Sequence, residues 1–454
     1  MLRPCPERLR RHDVYHSREA LVVTRRRFLA SLAVPLTLGQ SSTRGRGTSP
    51  GTGLAVPRNP DGYPPLPAVD VAAIGRQLRR QFTDLRNHFI FEYYPWYGTN
   101  PWRHWEGSGR TPPYDIAATS VPELGPYDSG NPRVLEQHAR WIAESGAGAI
   151  NVRSWGRGDY EDQLVPLLMD VMRDHGLKVT FHLEPYSDNR IDSYASDIQY
   201  LVSEYGDKRH WDCQLVLTNG DGTEGPVFKA FATIQPRLST DCHGRTAPVA
   251  MWRPDDVWHR QTDRVREMLR RQFDTVWQLS DFPVADPVLA AGFDGASPYG
   301  AFTPKDWPQL AREFSEVNLT FSPAIGTGFD AIAERNVPSD SCYRPPAFVP
   351  PAIINWDNAS DREKAARLAL WQIEASMRTS LEVQTDATLR NASTGFFIVY
   401  IATFNEWHEG TSFEPMKSHD ALVPQELRVG YHNPAHGRYR LDYLTPRLEQ
   451  ILRG

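Results

Sequence analysis

The sequence has little cysteine, no strong excess of either charge and no long hydrophobic run. Its 454 residues include 4 cysteines, too few and too widely spaced for a disulfide framework, although one bridge between Cys213 and Cys242 stays open. No Cys-x-x-Cys pair is present, which argues against a structural zinc site built from cysteines. The net charge of −5 excludes the strongly basic chains that bind nucleic acid or anionic membranes.

The apolar stretch nearest the N-terminus is short and follows three arginines. Arg25, Arg26 and Arg27 precede the run 31–38, which cannot span a bilayer because a spanning helix needs about 20 apolar residues. Paired arginines before such a run are typical of a twin-arginine export signal. We therefore expect residues 1–39 to be a signal peptide, the mature chain to have no membrane span, and the protein to be periplasmic or extracellular.

The segment after this signal is rich in Ser, Thr, Gly and Pro, a composition that cannot build a core. We expect residues 40–68 to be a flexible linker and residues 69–454 to form one folded domain. No internal repeat or second domain is evident in the sequence, and we expect a monomer.

Eight short apolar runs rich in β-branched and aromatic residues alternate with helical patterns along the predicted domain. The runs are residues 89–94, 147–152, 178–183, 227–231, 274–279, 292–296, 318–324 and 396–402. The clearest helical patterns are at 132–145, 161–175, 260–273 and 362–381. This alternation predicts an α/β fold, a single (β/α)8 barrel. Its long loops are predicted at 206–226, 234–256 and 327–360.

The densest group of chemically active side chains follows the last predicted strand. Three carboxylates, an imidazole and an indole lie within residues 403–415. An α/β barrel presents its chemistry at the carboxyl ends of its strands, and two carboxylates flanking one bond are what glycoside cleavage requires. Because Glu406 and Glu409 are three residues apart, they share a face only if the strand has ended near Phe404 and a bend has begun, which Gly410 permits.

Other predicted strand ends carry aromatic, acidic and imidazole side chains as well. In a barrel they would meet the acidic cluster at one rim. The 13 Trp and 18 Tyr suit sugar binding, because flat rings stack on pyranose faces, but they suit a large core equally. The candidate residues at these ends are Tyr94, Trp96, Tyr97, His104, Trp105, Trp155, His182, Glu184, Tyr186 and Tyr299.

Several of these segments resemble glycoside hydrolase family 99, which contains endo-α-mannosidases and endo-α-1,2-mannanases. The similar segments occur in the family's order across roughly residues 85–450. They are YYPWYG at 93–98, LGPY at 124–127, HLEPY at 182–186, GFDG at 292–295 and NEWHEGT at 405–411, followed by Glu414 and Pro415. NEWHEGT is the most specific. The sequence departs from the family pattern in 206–256 and after 325–330, which leaves the substrate open.

The resemblance implies an enzyme that cuts internal bonds of α-mannan or mannose-containing glycans with retention of configuration, without a cofactor or a metal. It implies that Glu406 removes the proton of the sugar's own 2-hydroxyl, whose oxygen displaces the leaving group to give a 1,2-anhydro sugar. Glu409 would protonate the departing oxygen and then activate water. The residues themselves do not decide which glutamate has which role.

The resemblance also implies surroundings for the reacting sugars. Trp407 and His408 would shape the pocket beside Asn405. The positions around the sugars would be Tyr94, Glu184, Tyr186 and Tyr299.

Three alternatives stay open. A divalent metal could be held by His104, His182, Glu184, His408 and Glu409, although no His-x-x-x-His or paired-aspartate signature supports it. The chain could be a carbohydrate-binding protein that has lost turnover, against which the intact glutamate pair argues. It could also be a related barrel hydrolase that acts on another α-glycan.

Overall fold

Eight parallel strands form the centre of the computed structural model. The structure describes residues 56, 65–185, 190–210, 212–240, 244–299, 306–330 and 354–453, so the predicted export signal lies outside it. The barrel strands are β1 Phe89–Tyr93, β2 Ala149–Ser154, β3 Lys178–Leu183, β4 Glu224–Ala230, β5 Trp277–Ser280, β6 Gly295–Ala296, β7 in two segments, Thr320–Phe321 and Ile325–Gly326, and β8 Val399–Ala402.

The strand pairings run completely around the ring. From β1 to β6 each strand pairs in parallel with the next, and β8 pairs with β1. Strand β7 joins the two ends, because Thr320–Phe321 pairs with β6 and Ile325–Gly326 pairs with β8. Pro323 lies between the two segments and has no N–H for the ladder, which explains the interruption. The strand predicted at 318–324 covers the first segment and ends before the second. The predicted (β/α)8 fold is confirmed.

Helices surround the strands. They are α1 Val71–Gln81, α2 Pro132–Ser145, α3 Tyr160–Asp174, α4 Arg190–Leu201, α5 Asp255–Leu269, α6 Ala285–Ala290, α7 Trp307–Glu316, α8 Ala359–Thr385, α9 Arg390–Thr394, α10 Pro424–Leu427 and α11 Tyr439–Arg453. A π-helical segment, Val202–His210, continues α4. Within the part of the chain that the structure describes, no helix is both long and apolar enough to cross a membrane.

The predicted helix at 132–145 has the bounds of α2, whereas the helix predicted at 260–273 begins and ends earlier. Helix α5 starts at Asp255, directly after Pro254, and Asp255 and Asp256 lie in its first turn. Acidic residues in a first turn are favoured by the helix dipole. The residues that mark the helix start therefore precede the apolar pattern from which the helix was predicted.

Short strands in the loops form three antiparallel pairings, one of them with the barrel strand β4. Gly98–Thr99 pairs with Trp102–Arg103, Val216–Thr218 pairs with β4, and Leu238–Thr240 pairs with Thr246–Pro248.

Side chains alternate along each strand between two apolar cores, as the period of two requires. In β1, Phe89 and Phe91 pack outward with the helices, while Ile90 lies in the second core, inside the barrel. Glu92 is at the next inward position and is completely buried. The barrel interior therefore contains charge at its carboxyl end, and this charge has to be paired.

Cys213 is buried as a free thiol and donates to the carbonyl of Met169 at 3.4 Å. Burial raises the pKa of this thiol to about 12. The possible bridge from Cys213 to Cys242 is therefore not formed in this structure, and Cys242 itself lies outside the described residues.

Candidate active site

The loop after β8 has the bend that the glutamate spacing requires. Strand β8 ends at Ala402, and residues 407–410 form a turn closed by Gly410 N–H donating to the Trp407 carbonyl at 3.3 Å. Gly410 has φ +65°, a conformation that side chains disfavour. The Glu406 carboxylate accepts the His408 N–H at 3.1 Å, and Glu406 N–H donates to the Thr403 hydroxyl at 2.9 Å.

Glu409 is held from two neighbouring loops. The Tyr299 hydroxyl, in the loop after β6, donates to Oε2 of Glu409 at 2.8 Å. The Tyr94 hydroxyl, in the loop after β1, donates to the Tyr299 oxygen at 3.1 Å. In the loop after β7, Asp330 donates its backbone N–H to the Glu409 carbonyl at 2.9 Å. Three strand ends therefore meet at Glu409, as the barrel geometry predicted. Tyr299 contacts its carboxylate, Tyr94 contacts Tyr299, and Asp330 contacts its backbone carbonyl.

Both glutamates are largely covered by protein. Glu406 is 1% exposed and Glu409 is 5% exposed. The chain segments directly after Pro185, Tyr299 and Asp330 lie outside the described residues, and Tyr186 is among them. The expectation that both carboxylates open onto a cleft with room for a hexose therefore stays a prediction.

Trp96, His104 and His408 form an aromatic stack beside residues 403–415, the loop after β8 that we call the glutamate loop. The Trp96 and His104 rings are 4.5 Å apart and 14° from parallel. His408 Nε2 donates to the His104 carbonyl at 2.8 Å, and its ring lies 6.1 Å from Trp96. His104 has φ +64°, a backbone conformation that non-glycine residues adopt mainly where the surroundings demand it. His104 and His408, two members of the alternative metal-ligand set, therefore lie in this aromatic stack.

Trp155 extends this aromatic surface from β2. Its ring centroid lies 6.3 Å from that of Trp96. The indole is 7% exposed, and its N–H has no hydrogen-bond partner among the residues that the structure describes. An indole N–H is a donor that normally finds a partner when buried, so a sugar hydroxyl is a suitable ligand for it.

Tyr97 and Trp105 form a second, fully buried stack, with centroids 4.1 Å apart. The Tyr97 hydroxyl accepts Trp407 N–H at 3.1 Å and donates to the Asn405 carbonyl at 3.2 Å. Burial, and then the nearby charge of Glu406, raises the pKa of Tyr97 well above its ordinary value, so the phenol keeps its proton. These two predicted site residues support the glutamate loop from beneath.

Asn405 fastens the same loop to β1. Its Oδ1 accepts the Tyr94 N–H at 2.8 Å, and its Nδ2 donates to the Tyr94 carbonyl at 3.0 Å. This reciprocal pair fixes the backbone from which Tyr94 reaches Tyr299.

Glu414 has a structural role that the sequence analysis did not assign. Its Oε2 accepts the Trp407 indole N–H at 2.9 Å and the Tyr127 hydroxyl at 2.7 Å. Its Oε1 pairs with His138 Nε2 at 3.1 Å. Glu414 therefore joins the LGPY and NEWHEGT segments and sets the orientation of Trp407, between the two glutamates in sequence.

A buried charge cluster lies below the tyrosines, and the sequence analysis predicted only two of its members, His182 and Glu184. Glu92 pairs with Lys229 at 2.7 Å and with His182 Nδ1 at 2.9 Å, and Arg153 pairs with Glu184 at 2.6 Å. All five side chains are completely buried. Burial lowers the pKa of His182, so its imidazole is neutral, and two carboxylates balance two cations. Against the opposing effect of burial, Lys229, His182 and Arg153 hold the pKa of Glu92 well below its usual range.

The missed residues Arg153 and Lys229 left a readable signal. Both are register partners of the predicted His182, on β2 and β4, at inward positions of otherwise apolar strands. A charged residue within such a strand indicates a paired interior charge. Across residues 56–453, apart from the undescribed gaps, no three His, Cys, Asp or Glu side chains form a group that could hold a metal ion.

Comparison with known proteins gives the same class of protein as the fold and the carboxylates. Residues 84–212 match the family model for glycosyl hydrolase family 99. The chain is 27% identical over 382 residues to a glycoprotein endo-alpha-1,2-mannosidase-like protein of Danio rerio, covering 76% of this chain and 74% of the relative. Against the protein of that name from Homo sapiens the identity is 27% over 400 residues, with 79% and 74% covered.

A solved structure and a second family model complete the comparison. The GH99 endo-alpha-mannosidase of Bacteroides thetaiotaomicron superposes with a TM-score of 0.54 at 22% identity, covering 80% of this chain and 97% of that one, which supports the fold. Residues 307–423 match the model described as glycosyltransferase WbsX. Fold and relatives define a barrel glycoside hydrolase. The chain is similar to glycosyl hydrolase family 99 in sequence and in fold.

Proposed function

We propose that this glycoside hydrolase is an endo-acting α-mannosidase that cleaves internal α-mannosidic bonds of a mannose-containing glycan with retention of configuration. The observation that carries the proposal is the pair Glu406 and Glu409 after β8, with Glu406 directly before the turn 407–410, Glu409 within it, and Tyr299 donating to Glu409 at 2.8 Å. Curated relatives named glycoprotein endo-alpha-1,2-mannosidase support the substrate class.

In the first step the sugar supplies its own nucleophile. Glu406 takes the proton from the 2-hydroxyl of the mannose, and O2 attacks C1 to form the 1,2-anhydro ring. The bond from C1 to the leaving oxygen breaks as Glu409 transfers its proton to that oxygen. Each such proton transfer contributes about 10²–10⁴ in rate.

In the second step the anhydro ring opens. Glu409, now a carboxylate, takes a proton from water, whose oxygen attacks C1. The C1–O2 bond breaks, and Glu406 returns its proton to O2. Two inversions at C1 give net retention, and both glutamates end in their starting states.

Product analysis tests this function. The protein is incubated with branched α-mannan, and with an α-glucan in parallel. We expect mannose-containing disaccharides or larger fragments from the mannan, with the α-anomer appearing first by NMR. Glu406→Gln and Glu409→Gln should lose at least about 100-fold in rate. Glu374→Gln replaces an equally buried carboxylate on α8 and should lose stability rather than activity per folded molecule. Release of free mannose alone, or cleavage of the glucan alone, contradicts the proposal.

A substrate without the 2-hydroxyl tests the anhydro route separately. A 2-deoxy sugar at the position of cleavage has no oxygen that could form the three-membered ring. We expect it to bind and to remain intact, whereas the 3-deoxy analogue should still be cleaved. Turnover of the 2-deoxy substrate at a comparable rate rules out the anhydro route and leaves the endo-mannosidase activity standing.

The match of residues 307–423 to a glycosyltransferase model favours a second candidate, transfer to a sugar. In that case an acceptor hydroxyl takes the place of water in the second step, with Glu409 as its base. The same digest distinguishes the two functions. Products longer than the starting glycan, increasing with acceptor concentration, indicate transfer, and shorter fragments alone indicate hydrolysis.

We also propose that the protein is exported by the twin-arginine route as a monomer, on the basis of Arg25, Arg26 and Arg27 before the apolar run 31–38. Replacing the three arginines by lysine keeps their charge. We expect the parent chain in the periplasmic or culture fraction at monomer mass and the lysine variant in the cytoplasm. Equal export of both forms contradicts this route.

A further inference from the structure

Arg153 connects the interior charge cluster to the glutamate loop. Its Nη1 pairs with Glu184 at 2.6 Å, and its Nη2 donates to the Tyr94 hydroxyl. The guanidinium carbon lies 4.7 Å from the centroid of the Tyr94 ring and 5.0 Å from that of Tyr299. A planar guanidinium can satisfy a carboxylate, a phenol and two ring faces at once, which a lysine ammonium cannot.

The hydrogen bonds from this arginine run in one direction. Arg153 donates to Tyr94, Tyr94 donates to Tyr299 at 3.1 Å, and Tyr299 donates to Glu409 at 2.8 Å. All of these side chains are nearly or completely buried, so the chain of donors is protected from water. Hydrogen bonds in series polarise one another, and low polarity around them strengthens the effect.

We propose that Arg153 is a positioning residue for Glu409, acting through Tyr94 and Tyr299 to hold this carboxylate in place. The proposal deepens the proposed function, on which it rests. It adds a residue inside the barrel that touches neither the reacting bond nor Glu409, and it gives the fully buried cluster of β1 to β4 a role in the chemistry.

A second arginine lies near Glu409 in the described part of the chain, and it contacts the backbone. Arg440 Nη1 donates to the carbonyls of Gly410 at 2.8 Å and Ser412 at 2.7 Å. Arg153 is connected instead to the Glu409 carboxylate, through Tyr94 and Tyr299. The position of the Glu409 side chain therefore depends on Arg153 in a way that the backbone contacts do not replace.

The expected consequence falls on turnover. A misplaced Glu409 slows the proton transfers of both steps, so removing a link should lower kcat. Because two tyrosines separate Arg153 from Glu409, Arg153→Lys should lower kcat and leave KM unchanged.

The variants Arg153→Lys, Tyr94→Phe and Tyr299→Phe each remove one link. We expect each to lower kcat about tenfold, the loss that one hydrogen bond to a charged group produces. The double variant R153K/Y94F should lose no more than the worse single variant, because both interrupt the same chain.

Tyr443→Phe is the matched control. Tyr443 is 4% exposed, accepts a hydrogen bond from Arg447 at 3.0 Å and donates to Glu374 at 2.7 Å, so it repeats the Arg–Tyr–Glu arrangement between α11 and α8. This variant should lower stability and leave kcat and KM in place. An unchanged kcat in the three test variants, a loss in Arg153→Lys that lies wholly in KM, or multiplying losses in the double variant overturns the relay. Full activity in E406Q and E409Q instead overturns the proposed function itself.

Discussion

Asp330 and Glu409 are joined through their backbones: the N–H of Asp330 donates to the carbonyl of Glu409 at 2.9 Å. This bond ties the loop after β7 to the loop after β8. It brings the two loops so close that a Cβ at Gly410 would lie 2.3 Å from the Asp330 carbonyl oxygen. The position of Glu409 therefore requires glycine, which has no side chain, as the next residue.

Gly410→Ala should displace the glutamate loop. Its φ of +65° costs an alanine about 1 kcal/mol, and the overlap with Asp330 should add about 1–3 kcal/mol. We expect a lower thermal midpoint together with a large loss of kcat, because the loop can relieve the overlap only by moving Glu409.

Gly430→Ala is the control for this change. Gly430 has φ +81° and nothing within 4 Å of the added Cβ. It should therefore lose stability through backbone strain alone and keep its activity. If the two variants behave alike, the close approach of Asp330 does not position the loop.

Glu414→Gln should weaken the support of Trp407. The carboxylate accepts from Trp407, Tyr127 and His138, whereas an amide presents donor hydrogens to part of this set. A buried donor left without an acceptor costs about 1–3 kcal/mol. Chemical denaturation should show that loss, and kcat should fall more than KM rises. An unchanged kcat would mean that the Trp407 orientation does not matter for turnover.

Stability should decrease on mild acidification because of His88. Burial, opposed by a hydrogen bond to the Phe397 carbonyl, lowers the pKa of His88 from 6.5 to about 4. Between these values the unfolded chain binds a proton that the folded chain does not, so stability is full above pH 6.5 and is lost as pH falls toward 4. The loss from this group is about 3 kcal/mol. Urea unfolding at several pH values should show a shallower slope in His88→Asn, and equal slopes would contradict the assignment.

The barrel could be predicted from sequence because each strand is recognisable from its own residues, without knowledge of its neighbours. The run predicted at 178–183 has the same bounds as β3, since a strand buried on both faces is continuously apolar and β-rich. Strand β7 was harder to predict. The run predicted at 318–324 contains only the segment that pairs with β6, and nothing in it indicates that the chain pairs with β8 directly afterwards, at Ile325–Gly326.

The site could be predicted in part, for a related reason. Glu406, Glu409 and Tyr299 follow strand ends, and the closed ring brings such ends together whatever the loops do. The contacts of Arg153 and Lys229 depend instead on strand register, because one residue of slippage would turn both side chains outward. Register is a property of paired strands, and a single strand's sequence does not contain it.

The proposed roles of Glu406 as the base for O2 and of Glu409 as the general acid and base are tested most directly with a glycosyl fluoride donor and azide. Fluoride leaves without a proton, and azide attacks without a base, so Glu409 becomes dispensable in both steps while Glu406 is still needed to activate O2. We predict that Glu409→Gln turns over the fluoride only when azide is added and releases an α-glycosyl azide, and that Glu406→Gln stays inactive with or without azide. Rescue of Glu406→Gln by azide, or failure of both variants under every condition, would contradict the account.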